Sequence, residues 1–139
     1  MNLYEMYIGV KFIKATPKMK DGKEGYEGYE VIYEDGYVSW SPKDVFEKAY
    51  RPAAGLTFGL AIEALKLGKK VDRSGWNGKG MFLFIVRPNE IEYKEKLPDE
   101  LKACEHLLSI AMKTADNKIL VGWIASQSDM LSEDWEIVE

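Results

Sequence analysis

The chain predicts an α+β fold: a small, mainly antiparallel sheet with two or three short helices, plus an N-terminal β-hairpin/helix extension. Three observations carry this prediction. An Asp35-Gly36 dipeptide sits between two aromatic, β-branched runs, which signals a hairpin. Thr57 and Gly68 bracket a stripe of Phe58, Ala61, Ile62 and Leu65 at helical spacing. Met81 to Val86 is a nearly continuous apolar run of strand length, expected to be a central strand buried on both faces.

The remaining elements follow in order. Residues 4–16 alternate Met6, Ile8, Val10 and Phe12 with Tyr7, Gly9 and Lys11, the period of a strand. Residues 17–28 are rich in Lys, Gly and Glu and read as a loop. Tyr29 to Tyr33 and Tyr37 to Trp40 are the arms of the hairpin, with both central turn residues expected at φ > 0. Ser41-Pro42-Lys43-Asp44 then opens a helix with Ser as N-cap and Pro in the first helical position. Its apolar stripe is Val45, Phe46 and Ala49, and Pro52 ends it near Tyr50. Ala53-Ala54-Gly55 reads as a joint, dividing a module at 1–52 from a domain at 53–139. Within the latter, residues 69–73 read as a short strand and 87–106 as a loop with one helical turn. Residues 107–114 and 118–121 form a second hairpin, 123–130 a short helix and 135–138 a closing strand.

Composition narrows the function classes. A chain of 139 residues hides about two thirds of its unfolded surface. With 46% hydrophobic and 30% charged residues it reads as a folded globular protein. A formal net charge of −4 argues against sequence-independent binding of DNA or RNA, which draws on surplus Lys and Arg. The single Cys104 makes no internal disulfide, which fits a reducing cytosol. No apolar run approaches membrane-spanning length, and Asn2-Leu3-Tyr4-Glu5 lacks the basic start and apolar middle of a signal peptide.

Two stretches concentrate the chemistry. In Arg73-Ser74-Gly75-Trp76-Asn77-Gly78-Lys79-Gly80-Met81-Phe82 the glycines match neither the phosphate-loop nor the dinucleotide pattern, and spacing alone reads as a Gly-rich turn. Trp76 shifts that reading, because an aromatic in an exposed turn offers a face on which a base stacks for about 1–3 kcal/mol. Lys79 supplies a charge for phosphate, and Asn77 both donates and accepts, as a base edge or ribose requires. In Trp123-Ile124-Ala125-Ser126-Gln127-Ser128-Asp129-Met130, helical spacing places Trp123, Gln127 and Met130 on one side with Ser126 beside them. Ile124 and Leu131 fall on another side, expected in the core. Asp129, and Asp134 before Trp135, are each open to two readings: acceptors for ribose hydroxyls or caps of the segment that follows.

Support for catalysis is thin. His106 has no partner at a recognisable spacing, and Cys104 reads as a small buried residue rather than a nucleophile. One His and one Cys do not make a zinc site. No metal and no cofactor is expected. The acidic C-terminus, Glu133, Asp134, Glu136 and Glu139, reads as a solvated edge. Ten of the seventeen aromatics precede residue 52 and are expected to form a small core or a subunit interface of their own.

The residues between Phe58 and Met81, above all Ala64-Leu65-Lys66, Gly68-Lys69-Lys70-Val71 and Gly75-Trp76-Asn77-Gly78-Lys79-Gly80-Met81, resemble a family of small phage domains. So do Ala111-Met112-Lys113-Thr114-Ala115-Asp116, then Trp123 to Leu131, then Asp134-Trp135. The family includes the second type of Thoeris anti-defence protein, and the resemblance spans residues 57–138. It departs from the family pattern mainly at Gly122, where Pro is common before the Trp. Residues 36–46 are similar to short modules of other phage proteins.

The resemblance implies a sponge acting in the cytoplasm of the infected bacterial host. Such proteins bind the cyclic nucleotide signal glycocyclic ADP-ribose without degrading it and so inhibit Thoeris immunity. They form homotetramers with pockets at subunit interfaces, and some hold CBASS cyclic di- or trinucleotides at separate sites. Carried over as ligand-binding residues are Trp76, Asn77, Gly78 and Met81, and Ser126, Gln127, Asp129 and Met130; Lys79 joins them from its charge. Two alternatives stay open: a nucleotide-processing enzyme with Asp129 or His106 as base, and a structural or host-interacting phage protein without a small ligand.

Overall fold

The structure, a computed structural model, describes residues 4–88 and 95–139. Among them are nine strands and four helices, and every strand pairing is antiparallel, so the class is α+β. The chain divides into two compact units, Met1–Arg51 and Pro52–Glu139.

The first unit is a three-stranded sheet of β1 (Lys14–Pro17), β2 (Gly28–Ile32) and β3 (Val38–Pro42), in that order, followed by α1 (Lys43–Ala49). Residues 4–13 are not a strand. Their alternating pattern meets no partner strand among the described residues, and Met6 and Ile8 are 98% and 99% exposed. The hairpin forms with a different turn from the one expected. The Gly36 N–H donates to the Tyr33 carbonyl and only Gly36 has φ > 0, at 84°, so Glu34-Asp35-Gly36 is a three-residue loop. Asp35 keeps φ < 0 and accepts from the Tyr37 N–H at 3.0 Å. Ser41 and Pro42 finish β3, so α1 starts one residue later than expected and has Pro42 at its N-cap. Only Phe46 of the expected stripe packs, stacked on Tyr29 with ring centroids 4.1 Å apart; Val45 and Ala49 are exposed. One helix of seven residues on a three-stranded sheet leaves room for one large anchor, and an aromatic fills it.

The second unit is a six-stranded sheet in the order β4-β9-β5-β6-β7-β8. Its strands are β4 (Ala54–Leu56), β5 (Lys70–Arg73), β6 (Phe82–Val86), β7 (Ser109–Lys113), β8 (Ile119–Val121) and β9 (Trp135–Val138). The expected joint at 53–55 thus contributes a strand, and the closing strand β9 lies between β4 and β5. α2 (Phe58–Lys66) is capped as its sequence dictates. Thr57 Oγ1 accepts from the Leu60 N–H at 3.3 Å. At the other end the Gly68 N–H donates to Leu65 and the Lys69 N–H to Ala64, a Schellman motif. The helix buries Ala61, Ala64 and Leu65 against the sheet, where Val71, Leu83 and Met112 stand side by side in register. β6 is an interior strand. Leu83 on one face and Val86 on the other are buried, and Phe82, Phe84 and Ile85 are half-buried, so both faces of the apolar run are at least partly covered.

α3 (Asp99–Lys102) is the expected single turn in the 87–106 loop; residues 89–94 of that loop lie outside the described residues. Cys104 there is exposed rather than buried, its thiol 3.5 Å from the Glu100 carbonyl. α4 (Gln127–Leu131) begins later than the expected helix at 123. Ser126 starts it, because its hydroxyl accepts from the Asp129 N–H while Asp129 accepts from the Ser126 N–H, a reciprocal capping box. Trp123 is therefore not on the helix at all. Ile124 and Leu131, expected in the core, are 87% and 79% exposed.

One cross-strand pair sets a pH dependence. Asp72 on β5 stands opposite Glu136 on β9. Burial of Asp72, and then the Glu136 charge and hydrogen bond, push its pKa up to about 6, and its Oδ1 is buried without a hydrogen-bond partner. Because the folded value exceeds the unfolded one, this group favours folding most below pH 4 and loses that contribution as pH rises through 6. Asp72→Asn should therefore melt higher than the wild type at pH 7, with the gap closing by pH 4. Thermal melts across that range check it; a gap independent of pH would contradict it.

Candidate functional site

The loop between β5 and β6 and the first turn of α4 are joined by hydrogen bonds within one chain. Arg73, the last residue of β5, is the centre. Its Nε donates to Asp134 Oδ1 at 2.8 Å and its Nη1 to Asp129 Oδ1 at 2.8 Å. Asp129 Oδ1 also accepts from the Trp76 indole Nε1–H at 3.1 Å, and its Oδ2 accepts from the Ser126 N–H at 2.9 Å. Asp134 Oδ2 accepts from the Gly75 N–H at 2.8 Å, and the Asp134 carbonyl from the Ser74 N–H at 3.1 Å. Asp129 is 8% exposed, and the side chains of Arg73 and Asp134 are 13% and 30% exposed. A buried carboxylate persists only with such partners.

The electrostatics follow. Burial opposes the Asp129 charge, yet the Ser126 N–H, Arg73 and Trp76 outweigh it and hold its pKa down at about 2. Arg73 likewise holds Asp134 below the usual carboxylate range, against the opposing effect of burial and with help from the Gly75 N–H. The expectation of a solvated acidic edge thus fails at Asp134, which is tied to the site. Both carboxylates stabilise the fold above pH 4, and Asp129's contribution is lost as pH falls through 2.

Three tryptophans pack beneath this network. Trp135, fully buried, donates its indole N–H to the Asp129 carbonyl at 2.8 Å. Trp76 meets it edge-on at 5.4 Å between centroids, and Trp123 contacts both at 6.2 Å. Trp76 is half-buried, its indole N–H held by Asp129.

Two of the loop's three glycines are explained by close approach, and Gly80 by its φ of 69°. A Cβ on Gly75 would lie 2.6 Å from Asp134 Oδ2, and one on Gly78 would collide with Met81 Sδ. Gly75→Ala should displace Asp134 from Arg73 and cost about 1–3 kcal/mol, the usual size of an overpacking defect. Chemical denaturation measures it, and an unchanged midpoint would contradict the stated packing.

Asn77, Lys79, Ser126, Gln127 and Met130 are exposed, and Gly78 and Met81 are half-buried. Of the nine residues selected from the sequence, Asp129 is buried and Trp76 packs its ring on the buried Trp135. Arg73 had no role assigned from sequence, and neither did the interior position of Trp135. Arg73 is separated from Asp129 and Asp134 by 56 and 61 residues, so no local spacing marks the triad. A lone Arg closing a short strand, with two acids flanking a distant Met-Leu-Ser-Glu segment, was the only available signal.

A family model for the Thoeris anti-defense 2-like domain matches residues 56–138, the stretch holding both motifs and the Arg73 network. The chain belongs to this family. It is also 44% identical over 85 residues to a protein of Bacillus phage SP01 named Thoeris anti-defense 2, across 60% of this chain and 94% of that protein. The Thoeris anti-defense 2-like domain therefore occupies the six-stranded unit, and the match does not include the three-stranded one. Membership supports a phage anti-defence role. Among the described residues, no helix is long and apolar enough to cross a membrane.

Proposed function

We propose that the protein is a sponge for a cyclic nucleotide signal, glycocyclic ADP-ribose, which it holds without chemical change and so keeps from Thoeris immunity in the infected host cell. The observation that carries this reading is the Trp76–Asp129 hydrogen bond, which brings the glycine loop and the α4 turn into one wall. Trp76 offers a half-exposed ring on which adenine stacks. Asn77, Lys79, Ser126 and Gln127 are exposed polar groups on the two segments so joined, suited to ribose and phosphate. Gly78 and Met81 shape the floor, and Met130 supplies an adaptable apolar contact. Nanomolar capture corresponds to roughly −12 kcal/mol, which stacking and charge-assisted contacts reach in a preorganised pocket.

Two features favour binding over turnover. A general base works best with a pKa near the operating pH, whereas Asp129 is held at about 2 and its carboxylate is already occupied. His106 Nε2 lies 3.1 Å from the Leu101 carbonyl, in the α3 region rather than among the network residues. The proposal includes a homotetramer in which neighbouring subunits close the pocket, with CBASS cyclic oligonucleotides held at separate sites. A thermal-shift panel of cyclic nucleotides, read with the mass of the assembly in solution, tests it. Stabilisation by glycocyclic ADP-ribose of a tetramer is expected. No shift with any cyclic nucleotide would favour an interaction protein without a small ligand.

A further inference from the structure

The network around Arg73 is built more heavily than a surface turn requires. One guanidinium faces two carboxylates from different segments: Asp129 in the first turn of α4, and Asp134 just before β9. Each carboxylate carries the connection one step further into the same loop. Asp129 holds the indole N–H of Trp76, and Asp134 holds the backbone N–H of Gly75. The Arg73 carbonyl closes the circuit by accepting from the Trp76 N–H at 3.1 Å. Two adjacent loop residues are thus gripped by side chain and backbone from one origin.

Lysine would not serve. The two carboxylates are reached through different nitrogens of a planar fork, Nε and Nη1, which a single ammonium cannot reproduce. Among the described residues Arg73 pairs with both acids, so its removal would leave the buried Asp129 and the partly buried Asp134 without their cation.

We infer that Arg73 is the positioning residue of the site: through Asp129 and Asp134 it fixes the Trp76 ring and the Gly75 backbone against the first turn of α4. Asp129 and Asp134 then act by holding the loop rather than by touching ligand. This deepens the proposed nucleotide site and rests on that reading only for its effect on affinity.

The test uses the full chain uniformly labelled with nitrogen-15, with Arg73→Lys as the variant. In the wild type the Trp76 indole N–H should exchange slowly with solvent. In Arg73→Lys the Trp135 indole should stay protected, reporting an intact core, while Trp76 exchanges as an exposed indole does. Affinity for glycocyclic ADP-ribose should fall by about tenfold or more, equivalent to roughly 1.4 kcal/mol. A Trp76 indole as protected in Arg73→Lys as in the wild type overturns the inference, as does unchanged affinity alongside an exposed indole. Should Arg73→Lys lose its cooperative melt, Asp134→Asn decides. It keeps the Arg73–Asp129 pair, so Trp76 should stay protected while the Gly75 amide exchanges faster; an unchanged Gly75 amide overturns the inference. If the wild type gives no binding heat, the sponge reading fails, and the indole exchange still judges the role of Arg73.

Discussion

Trp135→Ala should destabilise the six-stranded unit by about 3–5 kcal/mol. The side chain is fully buried, and it meets Phe58 of α2 at 5.5 Å, Trp76 at 5.4 Å and Trp123 at 6.2 Å. Truncating such a residue costs about 3–5 kcal/mol, against a total stability of roughly 5–15 kcal/mol for an ordinary domain. The loss also orphans the Asp129 carbonyl, which accepts the Trp135 indole N–H and sits in the first turn of α4. Near-ultraviolet circular dichroism during heating, compared between variant and wild type, is the suitable readout, since it follows tertiary packing around the aromatic side chains and the N-terminal contribution is common to both. Trp135→Phe keeps most of the volume and loses the N–H, so it should fall between the two. A Trp135→Ala melt within about 1 kcal/mol of the wild type would show that the ring is dispensable, contrary to its placement.

Trp76→Ala should have the opposite profile: a modest loss of stability and a large loss of ligand. The ring is half-buried, and Asp129 keeps Arg73 and Ser126 as partners when the indole is removed. Stacking of one base on an aromatic is worth about 1–3 kcal/mol, so affinity should drop by roughly ten- to a hundredfold. Trp76→Phe retains a stacking face but cannot donate to Asp129, and its affinity should lie between the two. Calorimetric titration beside a thermal melt separates the effects. If Trp76→Ala melted without cooperativity, the ring would belong to the core and the proposed wall would lose its centre.

What the amino-acid order made legible was what is decided locally. Thr57 and Gly68 marked both ends of α2 because their capping bonds reach only a few residues. The turn at Asn117, the one non-glycine residue with φ > 0 among the described residues, joins β7 to β8 where Ala115-Asp116-Asn117 indicated. Errors arose where the outcome depended on a partner distant in sequence. Residues 4–13 have a strand's alternation, but alternation states which faces a strand would have and not whether an edge is available. Trp123 was placed on a helix by spacing to Gln127 and Met130, whereas the Ser126–Asp129 capping box fixes the start after it. Asp129 is open from sequence between a ligand acceptor and a cap of the next segment. The structure instead places it in the capping box of its own helix, and the Arg73 and Trp76 bonds add a role that no local pattern could reveal.

The proposed site has two layers. Its outer residues, from Asn77 and Lys79 to Gln127 and Met130, are recognisable by type and by family resemblance. Asp129 and Asp134 are also visible in the sequence, but their joining to Arg73 and Trp135 in an inner layer appears only once β5 and β9 pair and bring the two stretches together.

The most direct test of the sponge reading mixes the protein with an equal amount of glycocyclic ADP-ribose, records the binding heat, then denatures the complex and weighs the released nucleotide by mass spectrometry. Saturable, stoichiometric binding with the nucleotide recovered at its original mass is the predicted result. Recovery of a hydrolysed product, or no heat at any concentration, would contradict it.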